Sequence, residues 1–254
     1  MSWEFVALLP LGLVAGLLSG LLGIGGGLVF SPMLLLVGLE PHQALATSSL
    51  AIVPTTLAAS WTHWCGGTLP LAAAGSIALG AGLSAALFSR LGQGLAGWHL
   101  LALQGLMYAI LTLTISPRDD LARTLSPERL PLPGLTGVGG VAGVAGGLLG
   151  VGGGLIMVPL MVKGLRLPIR LAIRLSTLGV LVSSGAASVA FLADGRARLG
   201  MALLLGGMAA LAARWSAGQL NRVPESRLAW MLRGLTLLLA LDCTRRALSL
   251  ALLR

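Results

Sequence analysis

The chain has 254 residues, 56% of them apolar and 10% charged, with a mean hydropathy of +0.93. Soluble domains carry about 25% charged residues, so the composition excludes an ordinary water-soluble protein and implies a polytopic membrane protein. The net charge of +9 comes from 17 basic residues against 8 acidic ones, set mostly between apolar runs, which suits loops beside anionic lipid rather than nucleic-acid binding.

Eight apolar segments follow in order, at roughly 4–37, 43–62, 70–89, 96–116, 135–163, 171–192, 199–220 and 227–251. Most match the roughly 17–25 residues that span a bilayer. The first begins Met1-Ser-Trp-Glu-Phe5 with no basic stretch, and reads as a retained membrane segment rather than a cleaved signal. It runs into Gly20-Leu-Leu-Gly-Ile-Gly-Gly-Gly-Leu28, with Pro32 beyond. Each glycine costs a helix about 1 kcal/mol relative to alanine, so Gly25, Gly26 and Gly27 predict a backbone that opens. The second segment carries Ser48-Ser49 and Thr55-Thr56. Residues 116–133 are polar and proline-bearing, with Arg118, Asp119, Asp120, Arg123, Glu128 and Arg129, and read as an exposed linker.

The fifth segment repeats the first: Gly147-Leu-Leu-Gly-Val-Gly-Gly-Gly-Leu155, then Pro159. The sixth has Arg174 near its start, then Ser176-Thr177 and Ser183-Ser184. In the last, Asp242 with Arg245 and Arg246 predicts a local ion pair. Trp3, Trp61, Trp64, Trp98, Trp215 and Trp230 fall near segment ends, where indole rings prefer the headgroup region. His63 and His99 sit at segment edges and read as interfacial. Cys65 and Cys243 form neither a metal spacing nor a disulfide framework.

An offset of 127 superposes Gly25-Gly26-Gly27 on Gly152-Gly153-Gly154, and after one inserted residue an offset of 128 superposes Ser48-Ser49-Leu50 on Ser176-Thr177-Leu178. This is an internal repeat, with a first half at 1–116, a polar linker at 117–133 and a second half at 134–254. The expected fold is all-α, with about eight transmembrane segments and a Gly-rich broken helix at the start of each half. Four unbroken spans per half make the halves parallel and split Lys and Arg 8 against 9; a hairpin at each glycine cluster inverts them and splits the charges 11 against 6. The charge rule favours inversion, the segment lengths favour unbroken spans, and both stay open here.

Opened backbone in a membrane survives only where protein or a wet cavity covers it, and exposed amides beside a half-helix start form an anion site. The candidate substrate-binding residues are therefore Gly25, Gly26, Gly27, Gly152, Gly153 and Gly154, with Ser48, Ser49, Ser176 and Thr177. Pro32, Pro159 and Arg174 are further candidates. Gly12, Gly16 and Gly20, with Gly139, Gly143 and Gly147, have instead the small-x-x-x-small spacing of helix packing. No intramembrane carboxylate lies near either glycine cluster, and no nucleotide-binding loop or protease motif occurs. An enzyme is not expected, nor a catalytic residue, metal or cofactor.

Gly23-Ile-Gly-Gly-Gly27, Pro32 and Ala44-Leu-Ala-Thr-Ser-Ser-Leu50, repeated as Gly150-Val-Gly-Gly-Gly154, Pro159, Ala172 and Ser176-Thr-Leu178, resemble the TauE/SafE family of sulfite exporter-like membrane proteins. The resemblance implies transport of a small sulfur-containing anion, sulfite or an organosulfonate such as sulfoacetate, with the glycine and Ser/Thr motifs as the binding region. One departure is Arg174, where the first half has Ala46. The expected partners are the anion and the lipid bilayer, with a homodimer left open, in a multi-pass protein of a bacterial inner membrane. Export driven by membrane potential is the expected mechanism; proton-coupled transport of another organic acid and an anion channel are the alternatives.

Overall fold

In a computed structural model, the structure describes residues 3–114 and 130–252, all helix, turn or loop. The linker acids and bases between 115 and 129 lie outside the described residues. The first half contains α1 (Trp3–Leu22), α2 (Gly27–Leu36), α3 (Pro41–Cys65), α4 (Leu71–Gly92) and α5 (Gly97–Thr114). The second contains α6 (Leu132–Leu149), α7 (Gly154–Pro159, continued by a π-helical turn at Leu160–Gly164), α8 (Ile169–Ala193), α9 (Leu199–Gln219) and α10 (Glu225–Leu252). Among the described residues, five helical stretches, namely α3, α4, α6, α8 and Leu199–Arg222, are long and apolar enough to cross a membrane; Leu9–Leu22, Gly27–Leu36 and Gly154–Gly164 are shorter apolar helices. The segments 4–37 and 135–163 are thus each two helices, opened at the glycines.

Which helices run together can be read from their contacts. Gly12, Gly16 and Gly20 of α1 lie against Leu205, Ala209 and Ala213 of α9, and Gly139, Gly143 and Gly147 of α6 lie against Ile77, Ala81 and Ala85 of α4. Numbers rise together in both pairs, so each pair is parallel. At most of these glycines an added methyl would overlap the neighbouring backbone, which is the close-packing role their spacing predicts. Thr47 meets Arg198, Ala51 meets Gly206 and Ala59 clusters with Ala213, making α3 parallel to α9. Ile77 meets Gly179 and Gln93 meets Ala190, making α4 parallel to α8. In contrast, Ala46 packs on Ala187 and Phe191 while Ile52 and Val180 meet over Gly25, so α3 and α8 cross antiparallel. So do α5 and α10, where Gly105 lies by Thr244 and Thr112 bonds Thr236 at 2.9 Å.

It follows that α1, α3 and α9 point one way and α4, α6 and α8 the other. Each helix of the first half is opposed to its counterpart in the second, and the hydroxyl-bearing α3 and α8 cross between them. The halves are also exchanged, since α1 packs on α9 while its counterpart α6 packs on α4.

Gly27 opens α2 beside Ile52, midway along α3, and α2 ends just before α3 begins. The short helix therefore runs back along α3, turning α1–α2 into a hairpin. Gly154, beside Val180, does the same for α6–α7.

The backbone repeats this symmetry in detail. Positive φ occurs at Gly23, Gly25, Gly26, Gly38 and Gly67, and at their counterparts Gly150, Gly152, Gly153, Arg166 and Gly195. The single inserted residue of the second half is absorbed in the π-helical turn: Leu39 N–H bonds Leu34, whereas Leu167 N–H reaches one residue further back to Met161. Such one-turn π insertions are how helices take up an extra residue.

Candidate functional site

The two breaks meet at the centre of the molecule. A Cβ on Gly27 would strike the Val151 backbone, and one on Gly154 would strike Gly23 O and Ile24. Gly26 and Gly153 hold the N-cap positions of α2 and α7 at φ 78° and 71°, without a side-chain cap. A half-helix start without a capping side chain leaves first-turn amides and the positive dipole end aimed into the break. Pro32 and Pro159 lie inside the short helices, where each removes one ladder bond.

The predicted hydroxyls are all fully buried, and the structure divides them by role. Ser176 donates from α8 to Gly23 O of the first break, at 2.8 Å, with Ile173 O equally near. Its counterpart Ser48 reaches from α3 to Gly150 O of the second break at 3.4 Å, and to Gly27 O at the same distance. Each hydroxyl helix thus ties down the break of the opposite half. Ser183 donates to Gly152 O at 2.8 Å. Thr177 is turned back on Arg174 O at 2.7 Å, and Thr56 on Ile52 O at 2.8 Å. Ser49 and Ser184 have buried hydroxyls without a partner; a Cβ on Gly150 would sit 2.9 Å from Ser49 Oγ, and one on Gly152 2.8 Å from Ser184 Oγ. These two hydroxyls, one from each half, both lie against the second break with their hydrogen-bonding capacity unspent.

Ile52 and Val180 are repeat counterparts on α3 and α8. Both side chains press on Gly25 and Gly152, with Ile52 also on Gly27 and Val180 on Gly154. They fill the space where the breaks approach, so the centre is occluded.

Arg174 is half-buried and donates to Asn221 Oδ1 at 2.7 Å. His63 departs from the interfacial expectation: it is 4% exposed, with Nε2 unpartnered. Its repeat counterpart, Phe191, likewise buried, is the sequence signal that marked it as an inward position. His99 stacks on Trp98 at 3.7 Å as an edge residue should. Trp61, Trp64, Trp215 and Trp230 are exposed. Asp242 pairs with Arg245 at 3.7 Å, and the Arg246 side chain lies outside the described residues. Cys65 and Cys243 form no disulfide.

Residues 8–243 match the family described as Sulfite exporter TauE/SafE. A "Probable membrane transporter protein" of Xylella fastidiosa (strain Temecula1 / ATCC 700964) is 33% identical over 175 residues, 66% of this chain and 66% of that protein. The "Probable membrane transporter protein YunE" of Bacillus subtilis (strain 168) is 26% identical over 93% of this chain and 95% of its own. The "Sulfite exporter TauE/SafE family protein 1" of Arabidopsis thaliana is 49% identical over 41 residues, 16% of this chain and 9% of that one. No solved structure matches the chain.

Proposed function

The chain belongs to the sulfite exporter TauE/SafE family of membrane transporters, and we propose that it exports a small sulfur-containing oxyanion, sulfite or an organosulfonate such as sulfoacetate. The observation that carries this reading is the meeting of two uncapped half-helix starts at one occluded centre. Opposed positive dipole ends suit an anion bound by backbone amides. Gly25, Gly26, Gly27, Gly152, Gly153 and Gly154 supply that backbone, and Ser49 and Ser184 add free hydroxyls. Ser48 and Ser176 hold the breaks in position, while Thr177 spends its hydroxyl on its own helix.

The halves 1–116 and 134–254 act as opposed gates. Rocking one break against the other about the crossing of α3 and α8 exposes the site to alternate faces, with Ile52 and Val180 as the apolar seal between exposures. Orientation follows from charge. Lys163, Arg166, Arg170, Arg174, Arg214, Arg222, Arg227 and Arg233 lie toward the face where α5 ends and α6 begins, against Arg90, Arg196, Arg198 and Arg245 on the other. The positive-inside rule puts that linker face in the cytoplasm, in a cell membrane of bacterial inner-membrane type.

An inside-negative potential expels an anion with about 2.3 kcal/mol per charge per 100 mV. At about 1.4 kcal/mol per factor of ten, this sustains roughly a fifty-fold gradient per charge without a coupling ion. The test is sulfite and sulfoacetate flux from proteoliposomes with the potential clamped by potassium and valinomycin. Efflux that rises with internal negative potential, and is indifferent to a pH gradient alone, is expected. Flux that follows the pH gradient and ignores the potential would reject the mechanism.

A further inference from the structure

The two ends of the α3–α8 crossing are built from the same repeat positions but different chemistry. On the face away from the linker, a small open recess is lined by His42, Leu45, Gln93 and Phe191, with Asp194 and Arg196 paired at 3.6 Å. The counterparts of those first four residues on the linker face are Arg170, Ile173, Asn221 and His63. The linker end thus carries Arg174 and His63 where the recess end has Ala46 and Phe191, whereas the orphaned hydroxyl of Ser60 is matched by that of Ser188 at the recess end. His63 is 4% exposed and leaves Nε2 without a partner, and Ser60, one turn deeper on α3, leaves its hydroxyl unpartnered at 5% exposure. Buried polar groups are normally satisfied, so a cluster that is not calls for an explanation such as an ion it receives.

Arg174 completes the cluster. The antiparallel crossing sets it opposite His63, as it sets their counterparts Ala46 and Phe191 together at the other end; one of its nitrogens donates to neutral Asn221, while Nε has no partner. Among the described residues no carboxylate lies within ion-pair distance of it. Arg170, one turn earlier, is different: Glu225 lies 3.7 Å from its Nε and it donates to Val223 O at 3.3 Å. The uncompensated charge is therefore that of Arg174. Its position joins it to the centre, because Thr177 bonds the Arg174 carbonyl and Ser176 holds Gly23 O of the first break. The sequence also keeps an arginine in the left-handed region at Arg166, φ 53°, where the first half uses Gly38.

We propose that His63, Ser60 and Arg174 form an anion-collecting mouth on the linker face, fitted to a small oxyanion such as a sulfite or sulfonate group, from which the substrate passes to the paired breaks. This rests on the transport reading above and adds a direction to it. The forked guanidinium suits an oxyanion, and the imidazole N–H and hydroxyl supply further donors. The opposite recess, with phenylalanine at the histidine position and alanine at the arginine position, releases the same ion more readily.

The repeat supplies its own controls, since Arg174→Ala and His63→Phe install the residues found at the opposite mouth. Sulfite flux is measured in proteoliposomes of defined orientation, with the half-saturating concentration read separately from each face. In the wild type the linker face is expected to half-saturate at a concentration at least ten-fold lower. Each substitution raises that value about ten-fold, with a matching rise in the maximal rate from that face, as detailed balance requires of uncoupled transport, and leaves the opposite face unchanged, while Arg174→Lys recovers part of the affinity. Equal values at the two faces of the wild type, or substitutions that lower only the maximal rate, overturn the proposal. If Arg174→Ala does not yield monodisperse protein, His63→Phe decides. If the wild type moves no sulfite, the transport reading fails, and the mouth is read from thermal stabilisation of purified protein by sulfite. A shift lost in Arg174→Ala supports it, and no shift in the wild type overturns it.

Discussion

The two breaks share a backbone course but differ in which half holds them. The first is gripped from the opposite half by Ser176, 2.8 Å from Gly23 O, whereas the second has from the opposite half Ser48, shared between two carbonyls at 3.4 Å, and is gripped by Ser183 of its own half, 2.8 Å from Gly152 O. The cap glycines differ as well. A side chain at Gly26 would meet the ring of Phe30, at 2.9 Å, while one at Gly153 would run into the backbone of Ala142. A ring can turn aside and a helix backbone cannot. Duplication fixed the path of the chain, and later divergence distributed its stiffness unequally.

The largest expected effect separates those glycines. Gly153→Val is expected to lower flux at least about a hundred-fold, and Gly26→Val about ten-fold, because left-handed strain of about 1–2 kcal/mol is common to both and backbone overlap falls on one. Sulfite flux normalised to folded protein measures it; equal losses would erase the distinction. Next come the packing glycines. Gly16→Leu and Gly143→Leu would each press on equivalent alanines, Ala209 and Ala81, and each is expected to cost about 1–3 kcal/mol. A clear difference between them in detergent unfolding would show that the two parallel helix pairs are not equivalent.

Smaller effects test the ties. Ser176→Ala is expected to cost about 1–1.7 kcal/mol and Ser48→Ala about 0.5, within the range of membrane hydrogen bonds; thermal unfolding of the two variants reads the order. Smallest of all in stability are Ser49→Ala and Ser184→Ala, because neither hydroxyl has a partner and deleting an unsatisfied group is close to neutral. Both should still weaken sulfite binding, which would separate them from Ser48 and Ser176. Unchanged affinity would remove them from the site.

Much of this was legible in the residues themselves. The triple glycines with Pro32 and Pro159 marked the breaks, because no other pattern in an apolar helix costs so much for so little packing. The one-residue register change was legible as a length, but not as a π-helical turn, since several local backbones can absorb one residue. Crossing parity stayed undecided because α2 and α7 are too short to span and their direction depends on contacts with α3 and α8. The hydroxyls were found but not sorted: whether Ser176 ties a carbonyl or Ser184 stays free depends on which helix of the other half lies opposite. His63 sits at a segment edge, which suggests lipid headgroups, whereas the buried position it takes is signalled by its repeat counterpart Phe191.

The central claim is that two opposed breaks hold one anion between them. Selenite resembles sulfite in shape and carries a strongly scattering atom, so anomalous diffraction from crystals grown with it tests the claim most directly. A peak is expected between Gly25–Gly27 and Gly152–Gly154, within hydrogen-bond reach of amides from both halves. A peak confined to one half, or selenite bound elsewhere with the breaks still closed on Ile52 and Val180, would contradict it.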